Sequence, residues 1–249
     1  MRRVTADELL AVFDDAAKTV RAALDPLTGA ERRARTARPG QYALDLVADA
    51  AVLPILHDVG VAVVSEESGR SGPGDADVTV VLDPVDGSTN CSRDIPYWSI
   101  SLCAVDADGP LCALVTNQAT GVRTTAARGK GAWRDGEPAT PSAVNRVEDA
   151  VVSFSGTPQR RLPWKQFRSL GSAALELCDV ASGALDAYLT SWQAPWDYLG
   201  GVLVCREAGA AVVDAQGGEL VVTDADARRQ LIAAATPELL DVVRPALPS

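Results

Sequence analysis

Helix-like and strand-like segments alternate along this chain, with turn-separated strands in its middle, and that order predicts a mixed α/β layered fold. Two observations carry the prediction. Leu9, Val12, Phe13, Ala16, Ala17 and Val20 recur at helical spacing near the start. Short β-branched or apolar runs follow at residues 59–64, 78–82, 98–105, 111–117 and 121–127, with turn signals at Asp108-Gly109 and Thr120-Gly121.

Taken in order, Thr5-Ala6-Asp7-Glu8 reads as a capping box that opens an amphipathic helix over residues 6–24. Residues 26–40 read as a loop, and the arginines between Arg32 and Arg38 as a solvated face, with an anion-facing rim as the alternative. A second helix over residues 42–57 puts Asp45 and Asp49 four apart on one face. The strand at 59–64 delivers Glu66 and Glu67 at its end, and residues 68–76 form a Gly/Ser/Pro loop. The 78–82 run is a buried strand whose pairing stops at Pro84, because proline has no N–H to donate. After the central hairpins, Gly129, Gly131 and Gly136 mark turns. Residues 138–146 connect two lobes of one domain, approximately 1–137 and 147–249. A strand at 151–154, a helix at 171–182 and a short strand at 187–189 come next. A helix at 198–208 ends at Gly209. A strand at 211–214, an apolar segment at 231–235 and a short helix after Pro237 complete the pattern. Trp133, Trp164 and Trp192 read as packing residues.

Bulk composition narrows the function. A length of 249 residues allows a substantial core. The formal net charge of −10 disfavours nonspecific nucleic-acid binding, which draws on a basic surface. A small anionic substrate stays compatible, because bound cations invert the local field. The five cysteines form no CxxC pair, which argues against a disulfide framework or zinc site and favours a reducing cytoplasm. Met1-Arg2-Arg3-Val4 leads into a charged amphipathic pattern, not an apolar leader, and no run is long enough to span a membrane. The sole histidine, His57, reads as a helix-end surface residue and not a catalytic base.

The most informative stretch is Val81-Leu82-Asp83-Pro84-Val85-Asp86-Gly87-Ser88-Thr89-Asn90. Asp83 and Asp86 stand on a sharp loop at a strand end, with the Val85 carbonyl between them. Hard divalent cations take carboxylate and carbonyl oxygens of this kind. Gly87 permits close backbone approach to a ligand. A short helix from Ser88 would leave free N–H groups for an anion. Metal ligands adjoining an anion cradle point to phosphate ester chemistry. The alternative, a plain strand-to-turn connection, draws on the same turn-forming residues.

This string, with Ser65-Glu66-Glu67-Ser68 before it and Pro195-Trp196-Asp197 after it, resembles the inositol monophosphatase family of magnesium-dependent, lithium-sensitive phosphatases. Gly129-Lys130-Gly131-Ala132, Gly171-Ser172-Ala173-Ala174 and Arg206-Glu207-Ala208-Gly209 extend the likeness over residues 40–235. The resemblance implies an alternating αβαβα sandwich of the inositol monophosphatase and fructose-1,6-bisphosphatase type, a homodimer, and two or three Mg2+ ions. It implies that Glu66, Asp83 and the Val85 carbonyl hold a first ion, and that Asp83, Asp86 and Asp197 hold a second. Glu66 would also hold the attacking water, Ser88 and Asp45 would orient it, and Glu67 would support the set. The N–H groups of Gly87 and Ser88 would hold the phosphate.

Asp86, Gly171, Ser172, Ala173, Thr190 and Asp197 are the residues the resemblance places around the substrate. Relatives that use inositol phosphate carry a glutamate where this chain has Thr190. That departure points away from inositol specificity and toward a broader set of small phosphorylated metabolites. Fructose 1,6-bisphosphate, 3′-phosphoadenosine 5′-phosphate and histidinol phosphate are among them. A noncatalytic phosphometabolite-binding protein and a two-metal nuclease are the rival classes. The intact carboxylate set argues against the first, and the acidic balance against the second.

Overall fold

The computed structural model describes residues 4–247; the Met1-Arg2-Arg3 start discussed above lies outside the described residues. Among the described residues the chain forms seven α-helices and thirteen strands. The first helices are α1 (Ala6–Leu24), α2 (Gly29–Arg33) and α3 (Ala43–Asp58). An eight-stranded sheet follows, built from β1 (Ala62–Ser65), β2 (Gly69–Ser71), β3 (Thr79–Asp86), β4 (Ser99–Asp106), β5 (Gly109–Asn117), β6 (Arg123–Ala127), β7 (Ala132–Arg134) and β8 (Glu137–Pro138). Its spatial order is β2-β1-β3-β4-β5-β6-β7-β8, and only β1 and β3 pair in parallel. The short helix α4 (Ser88–Ser92) leaves the end of β3. A five-stranded sheet comprises β9 (Val151–Ser155), β10 (Gln166–Arg168), β11 (Ala187–Gln193), β12 (Ala211–Asp214) and β13 (Arg229–Ala234), in the order β10-β9-β11-β13-β12. The remaining helices are α5 (Ala173–Ala181), α6 (Pro195–Ala208) and α7 (Pro237–Val243).

Side-chain alternation along β3 explains the layering. Val80 and Leu82 face one side of the sheet and join Leu9, Phe13 and Val20 of α1 with Leu44, Val52 and Leu56 of α3. Val81 faces the other side and joins Leu177 of α5, Leu199 and Val202 of α6, and Tyr188 and Leu231 of the second sheet. The far face of that sheet, with Val152, Phe154 and Ile232, packs on Leu239 and Val243 of α7. The order is therefore helix, sheet, helix, sheet, helix, as the αβαβα expectation has it. The two middle helices approach closely where α6 carries Gly201, since a Cβ there would stand 2.4 Å from Leu177 Cβ.

Several segments differ from the sequence expectation. Pairing does break at Pro84, but it resumes: Asp83 aligns with Ser101 and Asp86 with Ser99, so Pro84 and Val85 form a bulge. Helix α6 starts at Pro195 and not at 198, because proline fits the first helical position. Helix α2 lies in the expected loop, opened by a Thr28–Glu31 capping box. Strand β2 falls in the stretch read as loop, and β10 in a stretch with no expected element. Arg33, Arg35 and Arg38 are exposed, as a solvated face requires, and Arg32 is half-buried, but each also holds the loop in place. Arg32 donates to the Leu24 and Leu27 carbonyls, Arg33 to the Ser92 carbonyl, and Arg35 lies 3.5 Å over the Tyr42 ring. Trp133 and Trp192 are exposed and not packed, at 43% and 58%. All five cysteines are free and buried. His57 sits in the last turn of α3 and bonds Ser71 Oγ at 2.9 Å. Among the described residues no helix is long and apolar enough to cross a membrane.

Candidate active site

The site forms where β1 and β3, adjacent and parallel, end beside the first turn of α6. Glu66 follows β1 and is held in line with β3 by its N–H on the Leu82 carbonyl, 3.2 Å. Asp83 stands just before the bulge, where the Val85 N–H folds back onto its Oδ1 at 3.0 Å. Asp197 is the third residue of α6, and its Oδ2 accepts the Ala194 N–H at 2.8 Å, a capping bond. One carboxylate oxygen from each of Glu66, Asp83 and Asp197 lies within 4.8 Å of the others.

That proximity is costly without a counter-charge. Burial, then the Asp197 and Glu67 charges, pushes Glu66 up to about 8. Burial and the neighbouring Glu66 and Asp86 hold the Asp83 carboxyl well above the ordinary carboxylate range. Burial and Asp86 push Asp197 up to about 7. Clustered carboxylates with raised affinity for protons are the donor set a hard divalent cation takes, so the residues present fit Mg2+.

Asp86 is treated differently. Ser172 Oγ donates to its Oδ2 at 2.6 Å, the Ala174 N–H to the same oxygen at 2.8 Å, and the Ala173 N–H to Oδ1 at 3.2 Å. Ser99 Oγ lies 3.5 Å away. Burial raises Asp86 to about 6 against the pull of these donors. The start of α5 thus cradles Asp86, and Ser172 and Ala173, expected beside the substrate, act on this carboxylate. Leu170 and Gly171, just before, are anchored by Asn90: its Nδ2 donates to the Leu170 carbonyl at 2.8 Å. Glu176 of α5 accepts from Ser153 Oγ and from the Leu170 N–H, fixing the same loop from beneath.

Gly87 closes β3 and begins α4 at φ +93°, and a Cβ there would meet the Gly171 carbonyl at 2.9 Å. Only glycine fits both the backbone angle and the contact. Ser88 Oγ donates to the Val85 carbonyl at 2.9 Å. It also lies close enough to Asp45 to favour that carboxylate's charged form, although burial dominates and raises Asp45 to about 6. Asp45 Oδ2 accepts the Tyr42 N–H at 2.8 Å, while its buried Oδ1 has no partner.

Two sets of supporting contacts flank Glu66. Asp49 accepts from Ser65 Oγ at 2.5 Å, and that oxygen accepts the Glu67 N–H, bracing the turn that presents Glu66. Gln41 donates to Glu67, and Arg38 stands 3.5 Å from the same oxygen and donates to the Glu66 carbonyl. Thr190 lies on β11. It is fully buried, and its Oγ1 accepts the Leu231 N–H at 2.8 Å, where the β11 register breaks between Leu189 and Trp192.

Comparison with known proteins fixes the family. The inositol monophosphatase family model matches residues 6–247. The chain is 37% identical over 215 residues to a fructose-1,6-bisphosphatase/inositol-1-monophosphatase of Archaeoglobus fulgidus, covering 81% of this chain and 83% of the relative. It is 31% identical over 202 residues to a protein of Pasteurella multocida named Nus factor SuhB, covering 74% of each. Among solved structures, a Pyrococcus horikoshii protein described as similar to inositol-1 monophosphatase superposes with a TM-score of 0.88 at 29% identity, covering 98% of this chain and 100% of that one. The chain belongs to the inositol monophosphatase family and is a phosphoric monoester hydrolase.

Proposed function

We propose that the chain hydrolyses small sugar or polyol phosphate monoesters with Mg2+ as cofactor. The observation that carries this reading is the buried Glu66–Asp83–Asp197 cluster, whose mutual repulsion the Val85 and Ala194 N–H groups and Arg228 offset only in part. Those three carboxylates, with Asp86 and the Val85 carbonyl, are the groups that would hold the cation. A bound Mg2+ supplies Lewis acidity and an activated nucleophile.

The chain's own residues do the rest. Gly87 and Ser88, at the open end of α4, offer N–H groups to the phosphate oxygens. Ser88 Oγ accepts a hydrogen bond from the attacking water and donates its own to the Val85 carbonyl or to the free Oδ1 of Asp45. Asp45, poised near neutrality, is suited to accept hydrogen bonds in this relay. Glu67, clasped by Gln41 and Arg38, braces the segment that carries Glu66.

The test is phosphate release from a panel of inositol, sugar, nucleotide and histidinol phosphates, with Mg2+ and with excess EDTA. Release that requires Mg2+ is the expected result; full release in EDTA would overturn the metal reading. A second reading follows the Pasteurella relative, whose name denotes a Nus factor. Absence of phosphate release across the panel would favour it.

A further inference from the structure

The second sheet meets the active site where β11 ends and β13 begins. Arg229 opens β13 opposite Gln193, the last residue of β11, and four residues after Gln193 comes Asp197 of the carboxylate cluster. Arg228, just before Arg229, stands at this edge of the site. Its guanidinium lies 5.6 Å over the ring of Trp196, the residue that precedes Asp197. Trp196 is buried and gives the cation a fixed platform, while Arg228 is exposed and open to a ligand.

Arg38, beside Glu66, is spent on the protein: it donates to the Glu66 carbonyl and pairs with Glu67. Arg228 is not spent in this way. Its Nη1 donates to the Ala225 and Ala227 carbonyls at 2.8 and 2.7 Å, and among the described residues it makes no ion pair. Asp224 and Asp226 share its loop, but the Asp224 carboxylate turns back to accept the Asp226 N–H at 3.0 Å. Two carbonyls and an aromatic face therefore hold the guanidinium, while Nε and Nη2 keep their donors. A fixed planar fork of this kind matches the oxygens of a phosphate. The scissile phosphate has its own donors, the N–H groups of α4 behind β3. Arg228 comes from the second sheet, on the side of Asp197, and is left for another anionic group.

We infer that Arg228 is a specificity-determining residue whose guanidinium, seated on Trp196, holds a second phosphate carried by the leaving group. The ligand class is a sugar bisphosphate, preferred over the matching monophosphates. The inference rests on the phosphatase reading above.

The experiment compares kcat/KM with Mg2+ for fructose 1,6-bisphosphate against fructose 1-phosphate and fructose 6-phosphate, each of which lacks one of the two phosphates. The readout is the ratio of the bisphosphate to the better monophosphate. Arg228 also eases the charge on Asp197, but that effect is common to all three substrates and cancels in the ratio. Wild type should favour the bisphosphate. Arg228→Met keeps the packing on Trp196 and removes the charge. It should lower the ratio about tenfold, chiefly through the KM of the bisphosphate, the worth of one charge-assisted hydrogen bond at an exposed position. Arg228→Lys keeps the charge without the fork and should lower the ratio about threefold. If Arg228→Met does not fold, Arg228→Lys carries the test alone. A ratio unchanged in the folded variants, or a wild-type ratio of one or below, overturns the inference and leaves the phosphatase reading standing. Wild type that releases phosphate from myo-inositol 1-phosphate and from none of the three fructose phosphates overturns it too. Wild type that releases phosphate from none of the four overturns both.

Discussion

Asp186 and Asp214 of the second-sheet region are 7% and 5% exposed, and Asp86 and Asp83 at the end of the first sheet are 7% and 2%. Burial alone does not separate them; donors do. Asp186 accepts Ser142 Oγ at 2.5 Å on one oxygen and the Val151 N–H at 2.7 Å on the other. Asp214 accepts the Gly218 and Gln230 N–H groups, one per oxygen, at 2.8 and 3.0 Å. Each has both oxygens satisfied by donors of the protein itself and joins loops to strands. Asp83 and Asp197 have one backbone donor each and otherwise face one another and Glu66. The fold builds self-sufficient carboxylates in one region and leaves deliberate electrostatic debt in the other. Asp86 lies between these extremes, cradled by the start of α5 yet repelled by its neighbours.

Substitution of one aspartate from each region should break the comparison cleanly. Asp83→Asn should lower Mg2+-dependent turnover more than about a hundredfold, beyond the usual cost of losing an outer partner of a metal ligand. It should also raise the melting temperature of metal-free protein, because one repelling charge is gone. Asp214→Asn should show the reverse pattern. Turnover persists while stability falls by about 1–3 kcal/mol, since one amide end cannot accept a buried N–H. Equal loss of activity in both variants, measured on folded protein, would erase the distinction.

A smaller effect probes the intermediate case. Ser172→Ala removes the shortest contact to Asp86 and should lower kcat by about 10–100-fold, as loss of a supporting hydrogen bond does. Wild-type kcat in this variant would show that the two backbone donors suffice. The smallest effect on activity belongs to Thr190→Val. It leaves the Leu231 N–H unpaired in the β11 bulge and should cost about 1–3 kcal/mol in denaturant unfolding. A loss confined to activity, with stability intact, would place Thr190 in the substrate pocket.

The sequence exposes what is local. The capping box at Thr5 and the helical spacing place α1 at its observed bounds, Ala6–Leu24. The Asp83–Asn90 string marks the site because its residue types are rare together in such an order. Pro195 and the Asp197 cap were also readable, and together they explain why α6 begins earlier than its apolar pattern. Thr28 and Glu31 could likewise have revealed α2. Contacts between distant segments leave no such trace. Ser172 finds Asp86 across 86 positions, and Thr190 finds Leu231 across 41. Strand β10 is three exposed residues whose only partner is parallel β9, so it has no alternation to read. The four arginines look alike in sequence; only the fold shows that each ties the loop to a different element.

The central claim is that the Glu66–Asp83–Asp197 cluster is destabilised by its own charge and relieved by a cation. Its most direct test is the melting temperature of chelator-stripped protein from pH 5 to pH 8, with and without Mg2+, for wild type and Asp83→Asn. Well below 3.8 these carboxyls are protonated in folded and unfolded chain alike and contribute nothing. As pH rises, the unfolded chain loses its protons near the ordinary carboxyl values of 3.8 and 4.5, while the fold still holds protons on Asp197 up to about 7 and on Glu66 up to about 8. The folded state then binds more protons than the unfolded one, so stability falls as pH rises through this window. The account predicts that metal-free wild type melts progressively lower toward pH 8, that Mg2+ restores it most at pH 8, and that Asp83→Asn flattens both effects. A wild-type slope equal to that of Asp83→Asn, or a Mg2+ effect independent of pH and of Asp83, would contradict it.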